Sequence, residues 1–413
     1  MKILVFSHFF PPEIGAAPMR IGEHALKWVC DGHNVTVVTN FPNSPFGELY
    51  EGYKNSLYKN EFYHNIKVKR ILTFPSGKKN NKFHRGLSFI VNTIGSILAG
   101  IVEKKPDIII ASAPYLSGIP GLISSIWHNI PFIYELRDPW VQVAAANKTV
   151  KKRTLQYKLL VMLERKIIDA SEELVVIGEE MASYLEKKMM LPKKPYVIHN
   201  AIDTNRKNRK AFKGLNLPKT DGCFVIGLIG NMGDQYNFDV ILDAAAELLG
   251  GDFLFIFLGE GKQQTEVKKK AKKMDLENVR FYPAVPASEV DDWFRICDVT
   301  LVSMKTGPIY RVYLPLKVLD SLAMGVPVLF GGSGEVEHIL NESLGGAVFP
   351  AGDKKALVKL ITERMQNYEK VETEGKSGAE FILKRFTRER MARRYECLLE
   401  EVVREYRYKR FYL

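Results

Sequence analysis

The sequence predicts an α/β protein of two doubly wound domains, each a parallel sheet covered by helices. Three observations carry this. The chain has 413 residues, too many for one core, so two domains of about 200 residues each are expected. Short runs of β-branched and aromatic residues alternate with helical patterns, which is the order of βαβ units. A strand, a glycine-bearing loop and a helix open the chain at Lys2 and again at Cys223.

Composition narrows the class. The apolar fraction is 46% and the net charge +12; residues 1–200 hold 26 Lys and Arg against 17 Asp and Glu, leaving +9 in that half. Such a surface either meets something acidic or keeps the protein soluble. A nucleic-acid binder would need its cations on one face with stacking aromatics, and no such module is recognisable, so no nucleic-acid partner is expected. Cys30, Cys223, Cys297 and Cys397 lie far apart and form no C-x-x-C pair. Neither a metal knuckle nor a disulfide framework is suggested, and a reducing cytoplasm is the expected compartment. The start, MKILVFSHFFPP, is too short an apolar run for a signal peptide and reads as a first strand.

In order, Lys2 to Ser7 is a strand, His8 to Pro18 a loop containing Gly15, Met19 to Asp31 a helix closed by Gly32, and Asn34 to Thr39 the next strand. From Lys54 to Arg85 nine Lys or Arg stand against one acid, Glu61, interleaved with aromatics. Gly86 to Val102 follows without a charge: a sheet-covering helix on one reading, a helix resting on an anionic membrane surface on the other. At seventeen residues, with Ser88, Asn92, Thr93 and Ser96 inside it, it is a poor bilayer span. Asp107 to Ser112 is a strand, Tyr115 to Trp127 a helix, and Pro131 to Leu136 a strand ending in Arg137 and Asp138, which by type alone read as a structural ion pair. Helix 152–169, strand Glu173 to Ile177, helix 178–188 and strand Tyr196 to His199 complete a first domain, 1–203. Residues 204–222 are polar and basic and read as a linker.

The second domain, 223–383, begins with strand Cys223 to Ile229, a loop with Gly230 and Asn231, and a helix from Phe238 to Leu249. Absence of G-x-G-x-x-G argues against a dinucleotide oxidoreductase. Strand Phe253 to Leu258 ends in Gly259-Glu260-Gly261; a basic helix, strand Val279 to Tyr282 and strand Val299 to Ser303 follow. Residues 384–413 form a last, charged helix.

The most informative stretch is Gly307 to Pro350. Pro315 opens a short helix and Gly325 closes it. Asp320 falls on the stripe of Leu316 and Ala323, so its carboxylate faces protein or a crevice rather than open water. A strand from Val328 to Phe330 leads through Gly331, Gly332, Ser333 and Gly334 to a helix starting at Glu335. Two helix amino termini beside Arg311 and Lys317 make a seat for phosphate. By residue type alone, Lys317 and Asp320 read instead as an i,i+3 surface pair.

The order of these residues is more specific than their types. Proline, a base two residues on, an acid three further, small-Met-Gly-Val-Pro-Val and a later Gly-Glu resemble the donor-site signature of glycosyltransferase family four, of the GT-B fold. The resemblance implies two Rossmann-like domains facing across a cleft, the acceptor on the first and a nucleotide-sugar donor on the second, with the terminal helix returning to the first. It implies that Asp320 holds the donor ribose, that Arg311 and Lys317 face the diphosphate, and that Gly15, Gly230, Asn231, Pro315, Leu316 and Glu335 line the donor. The family's fuller motif has a second acid eight residues before Asp320, where Val312 stands. Asp320 also replaces the commoner Glu, and the two changes resemble the branch with bacterial N-acetylfucosaminyl transferases of O-antigen assembly. ELRDPW resembles a family pattern at a strand end facing the reacting sugar, which makes Asp138, with Arg137, the catalytic candidate of the first domain, and Lys317 that of the second. The implied reaction is hexosyl transfer with retention, to a lipid-linked or glycan acceptor of bacterial surface polysaccharide, in the cytoplasm or peripherally on the inner membrane face. No metal and no cofactor are expected: fixed cations stabilise the leaving diphosphate, and no D-x-D is present. A sugar-nucleotide epimerase or hydrolase on the same fold is the alternative.

Overall fold

The computed structural model of the chain describes residues 1–44, 47–75, 82–112, 117–146, 150–151, 154–204, 206, 217–218, 220 and 222–412, without the side chains of 82–85, 146 and 412. The expected helix starts at Tyr115 and residue 152, Lys78, Lys79 and most of the 204–222 linker lie outside these residues. The chain divides into two compact units, Met1–Asn200 with Arg388–Leu413, and Ala201–Thr387.

The first unit runs β1 (Lys2–Ser7), α1 (Ala16–Cys30), β2 (Asn34–Asn40), β3 (Tyr58–Tyr63), β4 (Ile66–Ile71), α2 (Lys82–Ile101), β5 (Ile108–Ser112), α3 (Gly118–His128), β6 (Phe132–Leu136), α4 (Trp140–Ala146), α5 (Leu155–Asp169), β7 (Glu173–Val176), α6 (Glu179–Met189) and β8 (Tyr196–Val197). Its sheet has the order β3-β4-β2-β1-β5-β6-β7-β8, parallel except for the β3–β4 hairpin at one edge. β1, β5 and β6 lie in its middle and are buried almost throughout, as strands covered on both faces must be.

That hairpin gives four cations of the basic stretch partners within the protein. Lys69 and Arg70 are buried, Lys69 paired with Glu103 and Arg70 Nε bonded to Glu61 at 2.8 Å; Lys59 pairs with Glu61 and Lys67 with Glu103. Arg70 also donates to the carbonyls of Asn40 and Pro11 and lies over the Phe10 and Tyr53 rings. Lys69 and Arg70 thereby fasten the edge hairpin to the end of α2 and to β2, because a buried charge is tolerated only when paired and hydrogen-bonded; Lys59 and Lys67 form partly exposed pairs. Among the described residues no helix is long and apolar enough to cross a membrane.

The second unit runs β9 (Phe224–Ile229), α7 (Asp239–Glu247), β10 (Phe253–Leu258), α8 (Gln264–Lys273), β11 (Val279–Tyr282), α9 (Val290–Arg295), β12 (Val299–Ser303), α10 (Leu316–Ala323), β13 (Val328–Gly331), α11 (Glu335–Ser343), β14 (Gly346–Phe349), α12 (Lys354–Gln366) and α13 (Tyr368–Arg385). Its sheet has the order β11-β10-β9-β12-β13-β14, and every pairing is parallel. FVIGLI and FLFIFL, adjacent strands inside this sheet, are wholly buried. The last helix, α14 (Arg388–Tyr412), belongs to the first unit, where Tyr395 packs edge-on against Trp28 and His24 of α1 and Glu396 bonds His33 at 2.9 Å.

Candidate active site

An all-parallel sheet sends every strand-to-helix loop to one edge, and the strand order reverses between β9 and β12, so a crevice is expected outside their carboxyl ends. The loops there are held together by glycines. Gly259, at φ +123°, has no room for a side chain: a Cβ would lie 2.5 Å from the Gly230 carbonyl oxygen. Gly261 is pressed as closely on Asn231 and Met232, and the Met232 amide donates to Glu260 at 2.9 Å. The β9 and β10 loops are thus laid edge to edge, which fixes Gly230 and Asn231.

Lys317 reaches this loop from the first turn of α10. Its Nζ donates to the Asn231 carbonyl at 3.2 Å, lies 4.4 Å from the Tyr236 ring centre and packs on Gly230. None of these partners is a carboxylate, so the expected i,i+3 pair with Asp320 does not form. Burial draws the Lys317 ammonium down to about 8, although part of the side chain keeps solvent contact. A half-desolvated ammonium without a counter-ion is a strong site for a phosphate. Pro315, extended at φ −62° and ψ 129°, is the N-cap, and the first internal bond runs from the Val318 amide to its carbonyl at 3.0 Å. The amides of Leu316 and Lys317 therefore stand at the open end of the helix, beside the ammonium.

The second expected amino terminus is engaged otherwise. In α11 the Gly334 amide bonds Glu337 Oε2 at 3.1 Å and the Glu335 amide bonds the Arg311 carbonyl at 3.0 Å, with Glu335 itself buried. Gly334, at φ +98°, permits this: a Cβ there would lie 2.2 Å from the Arg311 carbonyl oxygen. At this terminus the first two amides are therefore engaged within the protein, whereas in α10 the Leu316 and Lys317 amides stand beside the Lys317 ammonium. The Arg311 backbone is clamped while its exposed side chain borders a cavity of about 280 Å³ with Lys305, Gly307, Tyr310, Gly332 and Ser333. Val312, where the family motif has an acid, is buried in the core.

Asp320 has a partner far from it in the chain. Arg206 bonds it through Nη1 and also bonds Asp291 of α9 through Nε at 2.8 Å. Arg206 is therefore anchored inside the second unit rather than solvated in a linker. The one sequence cue was the acidic pair Asp291-Asp292 on a helix otherwise apolar inward; the Arg stood among too many cations to be singled out.

In the first unit Gly15 is the N-cap of α1 at φ +139°, a conformation that favours glycine, with Pro18 the nearest neighbour to a would-be Cβ. The carboxyl ends of β1, β5 and β6 bring together His8, Ser112 and the residues after Leu136. Here Glu135 is the structural acid: fully buried, it accepts from Ser112 Oγ at 2.8 Å and from Nε and Nη2 of Arg20, which also donates through Nη2 to the Ile198 carbonyl and through Nη1 to the His199 carbonyl. Burial alone would raise it, but Arg20, Arg137 and His24 bring it down to about 2. Asp138 differs. Burial pushes its carboxyl above the ordinary value and the neighbouring Arg137 only partly opposes this. Arg137 in turn is lowered by burial and held up by Glu135 and Asp138. His8, missed in the sequence, is brought by burial and Arg137 to about 4, so it is neutral at pH 7, and the Asn40 amide bonds its ring at 3.0 Å.

Two family profiles match consecutive parts of the chain, "Glycosyltransferase Family 4" over residues 20–206 and "Glycosyl transferases group 1" over residues 209–381. WbjE of Pseudomonas aeruginosa, described as a glycosyltransferase, is 26% identical over 70% of this chain and 74% of its own. WcaI of Escherichia coli K12, described as a colanic acid biosynthesis glycosyl transferase, is 25% identical over 79% and 82%. Among solved structures, sucrose-phosphate synthase of Thermosynechococcus elongatus superposes with a TM-score of 0.74 at 16% identity, covering 97% of this chain and 98% of that one. Anabaena HepE in complex with UDP-glucose gives 0.72 at 16% identity, covering 97% and 100%. With both units matched by the family's profiles and the fold shared with GT-B enzymes, this chain belongs to glycosyltransferase family four and is a glycosyltransferase of bacterial polysaccharide biosynthesis.

Proposed function

We propose that the enzyme moves a sugar of the N-acetylhexosamine type, with retention of configuration, from a nucleotide-sugar donor held by the second unit to a lipid-linked or glycan acceptor met by the first, at the cytoplasmic face of the cell membrane. The observation that carries this reading is Lys317, an ammonium with no carboxylate partner, set on the Gly230–Asn231 loop beside the open amides of α10. A leaving diphosphate gathers charge as the sugar becomes oxocarbenium-like, and a fixed cation and helix terminus stabilise it without reorganising. In this reading Asp320 accepts the ribose hydroxyls, Arg311 borders the sugar cavity, and Asp138, lifted by burial, serves the reacting sugar and acceptor. A structural neighbour was solved with UDP-glucose, which supports a nucleotide sugar as donor. No metal or cofactor takes part in this scheme.

Thermal-shift and calorimetric titration against nucleoside diphosphates and nucleotide sugars, with and without chelator, tests it. Binding in the micromolar range that survives chelator is expected. Loss of binding in chelator would overturn the metal-free scheme, and no binding to any nucleotide would overturn the donor site.

A further inference from the structure

We propose that the outward side of the α2–α3–α5 layer in the first unit is a docking surface for an anionic lipid bilayer. It deepens the reading above, and rests on it for the presence of a lipid-linked acceptor, but the surface itself comes from the exposed side chains.

On α2 the outward positions Leu87, Ile90, Ile94 and Leu98 recur at three- and four-residue spacing, and the last three are each more than half exposed. The helix thus covers the sheet with one side and presents a second apolar stripe to solvent. α3 packs beside it. Gly100 allows the close approach, since a Cβ there would lie 2.2 Å from Ser124 Oγ, and His128 Nε2 donates to the Gly100 carbonyl at 2.9 Å. On α3 the outward residues include Ile126, 70% exposed, and Trp127, 65% exposed. α5 packs on the other side of α3 and repeats the pattern with Leu159 and Met162, each half exposed.

Soluble monomers rarely leave so continuous an apolar face open. Charge selects the occupant. The outward positions of α2 and α3 named here carry no charge, and those of α5 add Lys158 and Lys166 to its apolar stripe. Asp169, which closes that helix, is taken by Arg165 at 2.7 Å. Lysines standing at the edge of an apolar stripe can extend to lipid phosphates while their stems stay in the acyl boundary, and an exposed Trp is at home there. Two copies paired face to face would instead set these lysines against an apolar surface with no acid to meet them. No described helix can cross a membrane, so the layer lies on the bilayer.

The test uses the full-length protein and vesicle flotation, with phosphatidylcholine alone and phosphatidylcholine mixed with phosphatidylglycerol. The unaltered protein should float with the mixed vesicles and release at high salt. Ile126→Ser with Trp127→Ser, and separately Lys158→Glu with Lys166→Glu, should each lower partitioning by about tenfold or more. Lys269→Glu with Lys273→Glu on α8 makes the same charge change elsewhere and should leave flotation intact. Circular dichroism and nucleoside diphosphate binding without lipid should match the parent in every variant. Failure of the parent to float, or equal flotation of all variants, overturns the proposal. So does a concentration-dependent dimer in sedimentation equilibrium that Ile126→Ser with Trp127→Ser abolishes, since that assigns the face to a second copy. Flotation with no nucleotide binding would instead sink only the donor-site reading.

Discussion

Arg206 and Asp320 are ion-paired, and the same guanidinium bonds Asp291, so one residue just beyond the unit boundary ties α9 to α10. The pair gives Asp320 a ready explanation as a structural acid, which the proposed ribose contact must compete with. The two roles separate on mutation. Asp320→Ala leaves Arg206 its bond to Asp291 and should cost under about 1 kcal/mol of stability. If Asp320 also accepts ribose hydroxyls, nucleoside diphosphate affinity should fall by about 1.5 to 3 kcal/mol, or roughly ten- to a hundredfold, in calorimetric titration. Unchanged affinity in a folded variant removes Asp320 from the donor site.

Arg206→Met should behave in the opposite way. It takes the guanidinium from the buried Asp291 and should destabilise by about 3 kcal/mol in chemical denaturation. Donor affinity at saturating stability should change less than in Asp320→Ala, and a larger change would mean that Arg206 orients the ribose acid.

Lys317 sets a pH dependence. Its folded value of about 8 lies below the ordinary 10.5, so between these the unfolded chain binds more protons and stability rises with pH. Diphosphate binding should move the other way, weakening as the ammonium is lost above about pH 8. Lys317→Met should therefore flatten the affinity profile between pH 7 and 9.5 while raising the melting temperature of the ligand-free protein near neutrality. A profile that still falls above pH 8 would assign the titration to another group.

The two acids of ELRDPW should part company. Asp138→Asn should lower turnover far more than donor affinity, as expected of a group that serves the reacting sugar. Glu135→Gln should instead cost about 3 to 5 kcal/mol of stability, because Arg20 would stay buried without its carboxylate. Its stabilisation is present above the ordinary 4.5 and lost as pH falls towards about 2, so the difference between parent and Gln variant should shrink in acid unfolding curves.

Gly259→Ala tests how the Gly230–Asn231 loop is held. A Cβ at 2.5 Å from the Gly230 oxygen, at φ +123°, can be accommodated only by moving backbone. Both stability and nucleoside diphosphate affinity should drop, whereas Gly250→Ala, whose Cβ meets open space, should lose stability only through its positive φ and keep affinity.

What the sequence determined by itself was whatever depends on near neighbours. The buried strands FVIGLI and FLFIFL, the Pro315 start and Gly325 end of α10, and the glycine loops after β9 and β13 follow from periodicity, from the ring of proline and from the conformational freedom of glycine. So did the order of residues around Asp320. The tertiary structure decided which charges meet. Asp320 turned from Lys317 three residues away to Arg206 more than a hundred away; Lys317 turned to a backbone carbonyl and the Tyr236 ring. Lys69 and Arg70 of the 54–85 stretch became the fastening of an edge hairpin, and the charge-free helix after it kept one apolar side for the sheet and one for solvent. For the charges the reason is common: a charge seeks whatever partner the fold brings within a few ångströms, and that distance is set by the fold rather than by sequence separation.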